Sequence, residues 1–216
     1  MHDPKLDSDN SAAVNEFYPH LHGIREEVEY SEIQGIRLYH NRNTIHFPSH
    51  WHSAIEILYP LEENYTVKIG TEESVLMPGD ILVIAPGTIH SYTPPESGER
   101  IFILFDYNLL KMFRGLRQMM QAIQPYLLIT QTAYPPLNEK LQELLRDVIR
   151  EYDEDSPYCG AMIWSRLLEF FAYIGRTDVY RVSHSREFPK DKRQEYVTKF
   201  MEVCNYITDH LDEEIN

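Results

Sequence analysis

The sequence predicts a mainly β protein that ends in helices, an α+β arrangement, and two observations carry that expectation. Between residues 24 and 106 short apolar runs recur at close intervals: "HWHSAIEILYP", "NYTVKIG", "ESVLMP", "DILVIAP", "PGTIHSY" and "RIFILFDY". They are punctuated by Pro60, Gly70, Pro78-Gly79, Pro86-Gly87, Pro94-Pro95 and Gly98, as expected of a compact antiparallel sandwich or barrel. Beyond Asp106 the apolar residues recur at three and four positions instead of two, which is the period of helices packed on a core.

The elements follow in order. Residues 1–16 are polar and read as a mobile lead-in. Strands begin between "EEVEY" and "GIRLYHNRN", separated by Gly35. After the punctuated strands, Leu109, Phe113, Leu116, Met120 and Ile123 share one helical face, and "YLLIT" after Pro125 returns as a strand. From Pro136 a helix carries Leu137, Leu141, Leu144 and Val148, with a second stripe at Leu145 and Ile149, so it has apolar surface for more than one neighbour. Asp153 to Pro157 ends it. The next helix, "YCGAMIWSRLLEFFAYIG", carries Ile163, Leu167, Phe170, Phe171 and Ile174 and is expected to stop at Gly175. Residues 176–194 lose the period and read as an exposed linker. A last helix bears Val197, Phe200, Val203, Cys204, Ile207 and Leu211, and its stripe runs on to the end of the sequence.

Composition narrows the function. With 216 residues the chain holds one large domain, or one domain and a fragment of another. A net charge of −14 has the wrong sign for neutralising phosphates, so these residues are not expected to form a complete nucleic-acid-binding protein. The polar, acidic start lacks the features of a secretory signal, and no apolar stretch reaches the length of a membrane span. Cys159 and Cys204 lie far apart, outside any thiolate metal spacing, which fits a reducing cytoplasm.

The chemistry concentrates in "TIHFPSHWHSAIEILY". If this stretch is one strand, His50, His52, Ala54 and Glu56 point to one face and Trp51, Ser53, Ile55 and Ile57 to the other. Two imidazoles and a carboxylate can hold a divalent metal. His90 adds a fourth candidate after the turn in "PGTIHSY", and Tyr92 shares its face. The expected site is therefore His50, His52, Glu56, His90 and Tyr92. It takes one of two forms: a centre for zinc, nickel, manganese or iron, or a polar pocket that requires no cofactor. A second copy of the spacing, His20, His22 and Glu26, has no downstream partner and reads as a surface segment with scattered histidines.

These residues resemble the cupin superfamily, whose first motif reads Gly … His-x-His … Glu … Gly and whose second reads Gly … Pro-x-Gly … His … Asn. His50, His52 and Glu56 match the first motif; Gly79, Gly87 and His90 match the second. Thr44 and Glu63 replace glycines, Ala85 replaces the proline (Pro86 lies one place later), and Pro94 replaces the asparagine. The resemblance implies a double-stranded β-barrel, or jelly roll, with these side chains facing a ligand cavity.

The order of barrel, two helices, linker and helix resembles the AraC family of bacterial transcription regulators. That resemblance implies an N-terminal arm at 1–23, an effector-binding barrel at 24–135 and a helical dimerisation region at 136–175. A linker at 176–194 would lead to the first helix of a truncated helix-turn-helix domain at 195–216. It further implies a homodimer, assigned to Leu141, Leu144 and Val148, and a small-molecule effector, with a carbohydrate as the default class. DNA would be bound only through the missing C-terminal part. The competing reading is a metal-dependent isomerase or dioxygenase built on the His/Glu cluster.

Overall fold

The computed structural model describes residues 20–30, 33, 35–111, 113, 115–116, 123–177 and 192–210. The expected lead-in at 1–16, most of the 176–194 linker, Met120 and Leu211 lie outside these residues. The strands are β1 (His20–His22), β2 (Arg25–Glu27), β3 (Ile36–Asn41), β4 (Phe47–His50), β5 (Ile55–Pro60) and β6 (Tyr65–Ile69). They continue with β7 (Glu72–Leu76), β8 (Ile81–Ile84), β9 (His90–Thr93), β10 (Arg100–Phe105) and β11 (Tyr126–Ile129). The helices are α1 (Tyr107–Lys111), α2 (Pro135–Glu154), α3 (Cys159–Arg176) and α4 (Lys192–Asp209).

The punctuated runs pair as two antiparallel sheets. One has five strands in the order β11-β8-β5-β10-β3, the other four in the order β4-β9-β6-β7, and β1 and β2 form a separate hairpin. The inner faces meet in an apolar layer. Leu58, Leu82, Ile84, Phe102 and Leu104 of the larger sheet pack with Tyr65, Val67, Leu76 and Tyr92 of the smaller. On its outer face the larger sheet presents Ile57, Ile81, Val83, Ile101 and Ile103 to α2 and α3. A sheet buried on both faces has no solvent side to keep polar, which is why β5, β8 and β10 are apolar runs instead of alternating ones.

That layer also settles where the helix stripe goes. Leu141, Leu144 and Val148, expected at a twofold contact, are 0%, 2% and 1% exposed, within the chain's own core. They share one cluster with the sheet's outer face and with Ile163, Leu167, Phe170 and Phe171 of α3. A sheet face of this size has to be covered, and the nearest apolar surface covers it first. Helix α3 runs to Arg176, one residue past the expected stop at Gly175, and Thr177 closes it with its N–H and hydroxyl both donating to Ile174 O. Of the expected 109–123 helix, the described residues give α1 and shorter pieces. No described helix is long and apolar enough to cross a membrane.

One ion-pair cluster ties the two layers together. His40 on β3 has Nδ1 2.7 Å from Glu99 Oε1 and Nε2 2.9 Å from Asp153 Oδ1, at the C-terminal end of α2. Both ring nitrogens face carboxylates, an arrangement that favours the doubly protonated ring. Burial alone would lower the His40 pKa, but the two carboxylates outweigh it and raise the value above 6.5.

Two outcomes are expected. Leu141→Ala lowers unfolding stability by about 2–5 kcal/mol, as measured by urea denaturation at fixed protein concentration. Because the folded His40 pKa is raised, its contribution is fully present below the unfolded value and is lost as pH rises through the folded one. The urea-midpoint gap between wild type and His40→Gln is therefore larger at about pH 5.5 than at about pH 8.5.

Candidate functional site

The expected site residues converge, but by a different route from a shared strand face. Strand β4 ends at His50, the chain crosses between sheets through Trp51 to Ala54, and β5 begins at Ile55. His50 and His90 are paired residues of β4 and β9 in the smaller sheet, Glu56 projects from β5 of the larger, and His52 lies on the crossing between them. The site thus sits between the sheets. His50, His52, Glu56, His90 and Tyr92 are each 2% exposed or less. One candidate ligand atom from each of His50, His52, Glu56 and His90 lies within 4.8 Å of all the others.

Local backbone chemistry holds these positions. The turn before His90 forms although its proline is displaced to Pro86. Gly87 adopts φ 76°, and its N–H donates to His52 O at 2.8 Å, joining the two histidine-bearing segments. Glu63, at a position where the cupin pattern has glycine, keeps the left-handed backbone at φ 56° despite its side chain.

Each imidazole is oriented by a backbone carbonyl. His50 Nδ1 lies 3.0 Å from Pro48 O, His52 Nδ1 3.1 Å from Ala54 O, and His90 Nδ1 2.9 Å from Thr88 O. A carbonyl only accepts, so each Nδ1 carries a hydrogen and each ring turns its Nε2 inward, that of His52 donating to Glu56. Glu56 meets two of these: Oε2 lies 2.8 Å from His52 Nε2 and 3.7 Å from His90 Nε2. The Tyr92 hydroxyl donates to Glu56 Oε1. Burial alone would raise the Glu56 pKa, but His52 and His90 together hold it well below the usual carboxylate range. Burial would lower His52, yet the Glu56 bond raises it on balance. For His50, burial and then the nearby His90 outweigh the raising effect of Glu26 and push it down to about 4. Burial and the neighbouring Glu56 push Tyr92 well above its ordinary value, so it remains a donor.

This donor set fits a divalent metal. Carbonyl-anchored imidazoles presenting Nε2 beside a carboxylate form the arrangement that fixes metal-binding histidines. The Nε2 atoms of His50 and His90 are buried without a hydrogen-bond partner. His50, His52, Glu56 and His90 would hold the ion, which would supply Lewis acidity and an anchor for an oxygen-bearing ligand.

Two contributors escape sequence reading. In the His20–Glu26 repeat, His20 and His22 are exposed as expected, and His22 pairs with Glu27 at 3.3 Å. Glu26, however, belongs to the site: it is 4% exposed, with Oε2 3.2 Å from His50 Nε2. The β1–β2 hairpin docks against Trp51, whose O accepts Glu26 N–H at 2.8 Å and whose N–H donates to Ile24 O at 2.9 Å. The second contributor is α4. Gln194 accepts Ile89 N–H at 2.9 Å and donates to Gly87 O at 2.8 Å. A Cβ on Gly87 would lie 2.9 Å from Met201 Cγ, and Phe200 meets Trp51 edge-on at 5.8 Å. Gln194 is the last residue of the expected 176–194 linker, but the helix begins at Lys192, and a polar residue there gives no sequence signal for such a role.

Fold and site together are cupin-like: two antiparallel sheets enclosing inward-facing histidines and a glutamate. The profile of the AraC-like ligand binding domain matches residues 34–171, and the chain belongs to that family. No curated protein matches it. Among solved structures, a protein from Neisseria meningitidis aligns at 13% identity and TM-score 0.31, over 34% of this chain and 76% of its own. An RmlC-like cupin from Shewanella frigidimarina aligns at 19% identity and TM-score 0.31, over 33% of this chain and 66% of its own. Oxalate decarboxylase from Bacillus subtilis aligns at 20% identity and TM-score 0.31, over 36% of this chain and 22% of its own.

Tyr92→Phe removes the donor to a buried carboxylate oxygen while keeping the ring. The expected cost is about 1–3 kcal/mol in urea-unfolding stability, with an unchanged circular dichroism spectrum.

Proposed function

We propose that this chain is the effector-sensing and dimerisation portion of an AraC-family DNA-binding transcription regulator that works in the cytoplasm. Beyond the family match, the reading rests on the contact between α4 and the loop that delivers His90. Gln194 grips Gly87 and Ile89, Gly87 is bonded to His52, and His90 follows directly. A ligand that favours one arrangement of these residues therefore biases the seating of α4, the element assigned to the start of the DNA-binding domain. The arm, barrel, helical region, linker and terminal helix divide as the resemblance implies. The effector is a small molecule, with carbohydrate the first class to test, bound beside His50, His52, Glu56, His90 and Tyr92 with or without a divalent metal. With Leu141, Leu144 and Val148 occupied inside the chain, homodimerisation falls to the outer surfaces of α2 and α3. The convergent Nε2 atoms favour one second reading, a metal-dependent cupin isomerase or dioxygenase.

A thermal-shift panel of sugars, other metabolites and divalent metals tests the proposal, since a ligand specific to the folded state raises its melting temperature. The sensor reading expects a saturable shift from one small molecule. That shift should be lost in His52→Ala and accompanied by altered hydrogen exchange across residues 192–209. Turnover of the ligand, followed by mass spectrometry, would select the enzyme. A bound ligand that leaves α4 exchange unchanged would remove the coupling.

A further inference from the structure

We propose that Glu26, carried by the β1–β2 hairpin, is a further ligand of the divalent cation held by His50, His52, Glu56 and His90. This inference rests on the metal-binding part of the functional reading and adds a residue from outside the two cupin motifs. Of the three residues of β2, Arg25 and Glu27 face solvent while Glu26 is turned inward. The paired bonds to the Trp51 backbone fix that orientation, as does the parallel bridge between Arg25 and Trp51. The carboxylate is therefore held at the site by main-chain contacts and does not depend on a flexible reach.

Three buried polar atoms at this end of the site make no hydrogen bond: Glu26 Oε2, His50 Nε2 and His90 Nε2. The first two face each other at 3.2 Å, and the rings of His50 and His90 lie 4.1 Å apart between centroids. Nδ1 of each ring already donates to a carbonyl, which leaves Nε2 as the atom each turns toward the site. A carboxylate oxygen and an imidazole nitrogen at such a distance need something positive between them. A shared proton would serve Glu26 and His50 but leave His90 unpartnered, whereas one divalent cation can accept all three lone pairs. Charge points the same way. Glu56 alone leaves a buried divalent centre with a net positive charge, while Glu26 and Glu56 together neutralise it, which lowers the cost of taking it out of water. The consequence is a fastening: metal loading ties the N-terminal hairpin to the barrel.

The test titrates metal-free protein with Mn(II) and with Zn(II) by isothermal calorimetry, and follows hydrogen exchange of residues 20–27 with and without metal. Wild type should bind stoichiometrically, with exchange at the Glu26 amide slowed by metal. Glu26→Gln should weaken binding at least about tenfold and abolish that slowing. Glu27→Gln, a change at an exposed neighbour, should behave as wild type. Glu26→Gln with wild-type affinity would overturn the role of Glu26 and leave the four-residue metal site standing. Wild type that binds neither ion would overturn both. Should Glu26→Gln fail to fold by circular dichroism, the wild-type exchange decides, and metal binding without hairpin protection would reject the proposal.

Discussion

Glu56 places a carboxylate where it is 2% exposed, and a charge taken out of water has to be met by charge or hydrogen bonds from the surrounding protein. The partners come from different elements: Tyr92 and His90 from β9 in the smaller sheet, His52 from the crossing between sheets. Elsewhere the two inner faces meet through apolar side chains, whose burial is favourable but non-directional. The Glu56 contacts are directional. They fix how the sheets are set against each other, and through the carbonyls of Pro48, Ala54 and Thr88 they fix how each imidazole is turned. The chemistry of the site and the registration of the fold thus share one set of bonds.

The larger sheet carries a second consequence outward. Its outer face needs cover, and α2 and α3 supply it with the same residues that could otherwise have served a partner molecule. Their apolar stripes are used up inside the chain. Helix α4 differs: Val197 is buried, but Phe200, Val203 and Ile207 are exposed. Among the described residues it meets the barrel through Gln194, through Val197 and Met201 at Gly87, and through Phe200 at Trp51. An element held by few contacts near a buried polar site can respond to what occupies that site, because only a small free-energy difference is needed to reseat it.

Much of the architecture was legible beforehand. Pro-Gly punctuation and the change of period after Asp106 are local signals, and they placed the strands, the "YLLIT" return and the two long helices near their observed positions. The helix stripe of Leu141, Leu144 and Val148 was legible as apolar, but sequence cannot say which apolar surface a stripe meets. At the site, His50, His52, Glu56 and His90 were found from spacing, yet the geometry behind the spacing differed: the chain changes sheets between His50 and Glu56. The spacing is the same whether one strand or a crossing produces it.

By itself, then, the sequence determined which segments are strands and helices and grouped His50, His52 and Glu56, because those properties depend on neighbours a few residues away; His90 was joined to them through the turn that precedes it and the cupin resemblance. Tertiary structure decided the rest. It separated Glu26 from the otherwise identical scattering of His20 and His22, turning one side chain of a short hairpin inward against Trp51. It also brought Gln194 to a loop more than a hundred positions earlier in the chain. Neither residue carries a periodic or compositional mark. Their roles arise from surfaces that exist only once the two sheets have closed, and a pattern read along the chain has no access to a distance measured across it.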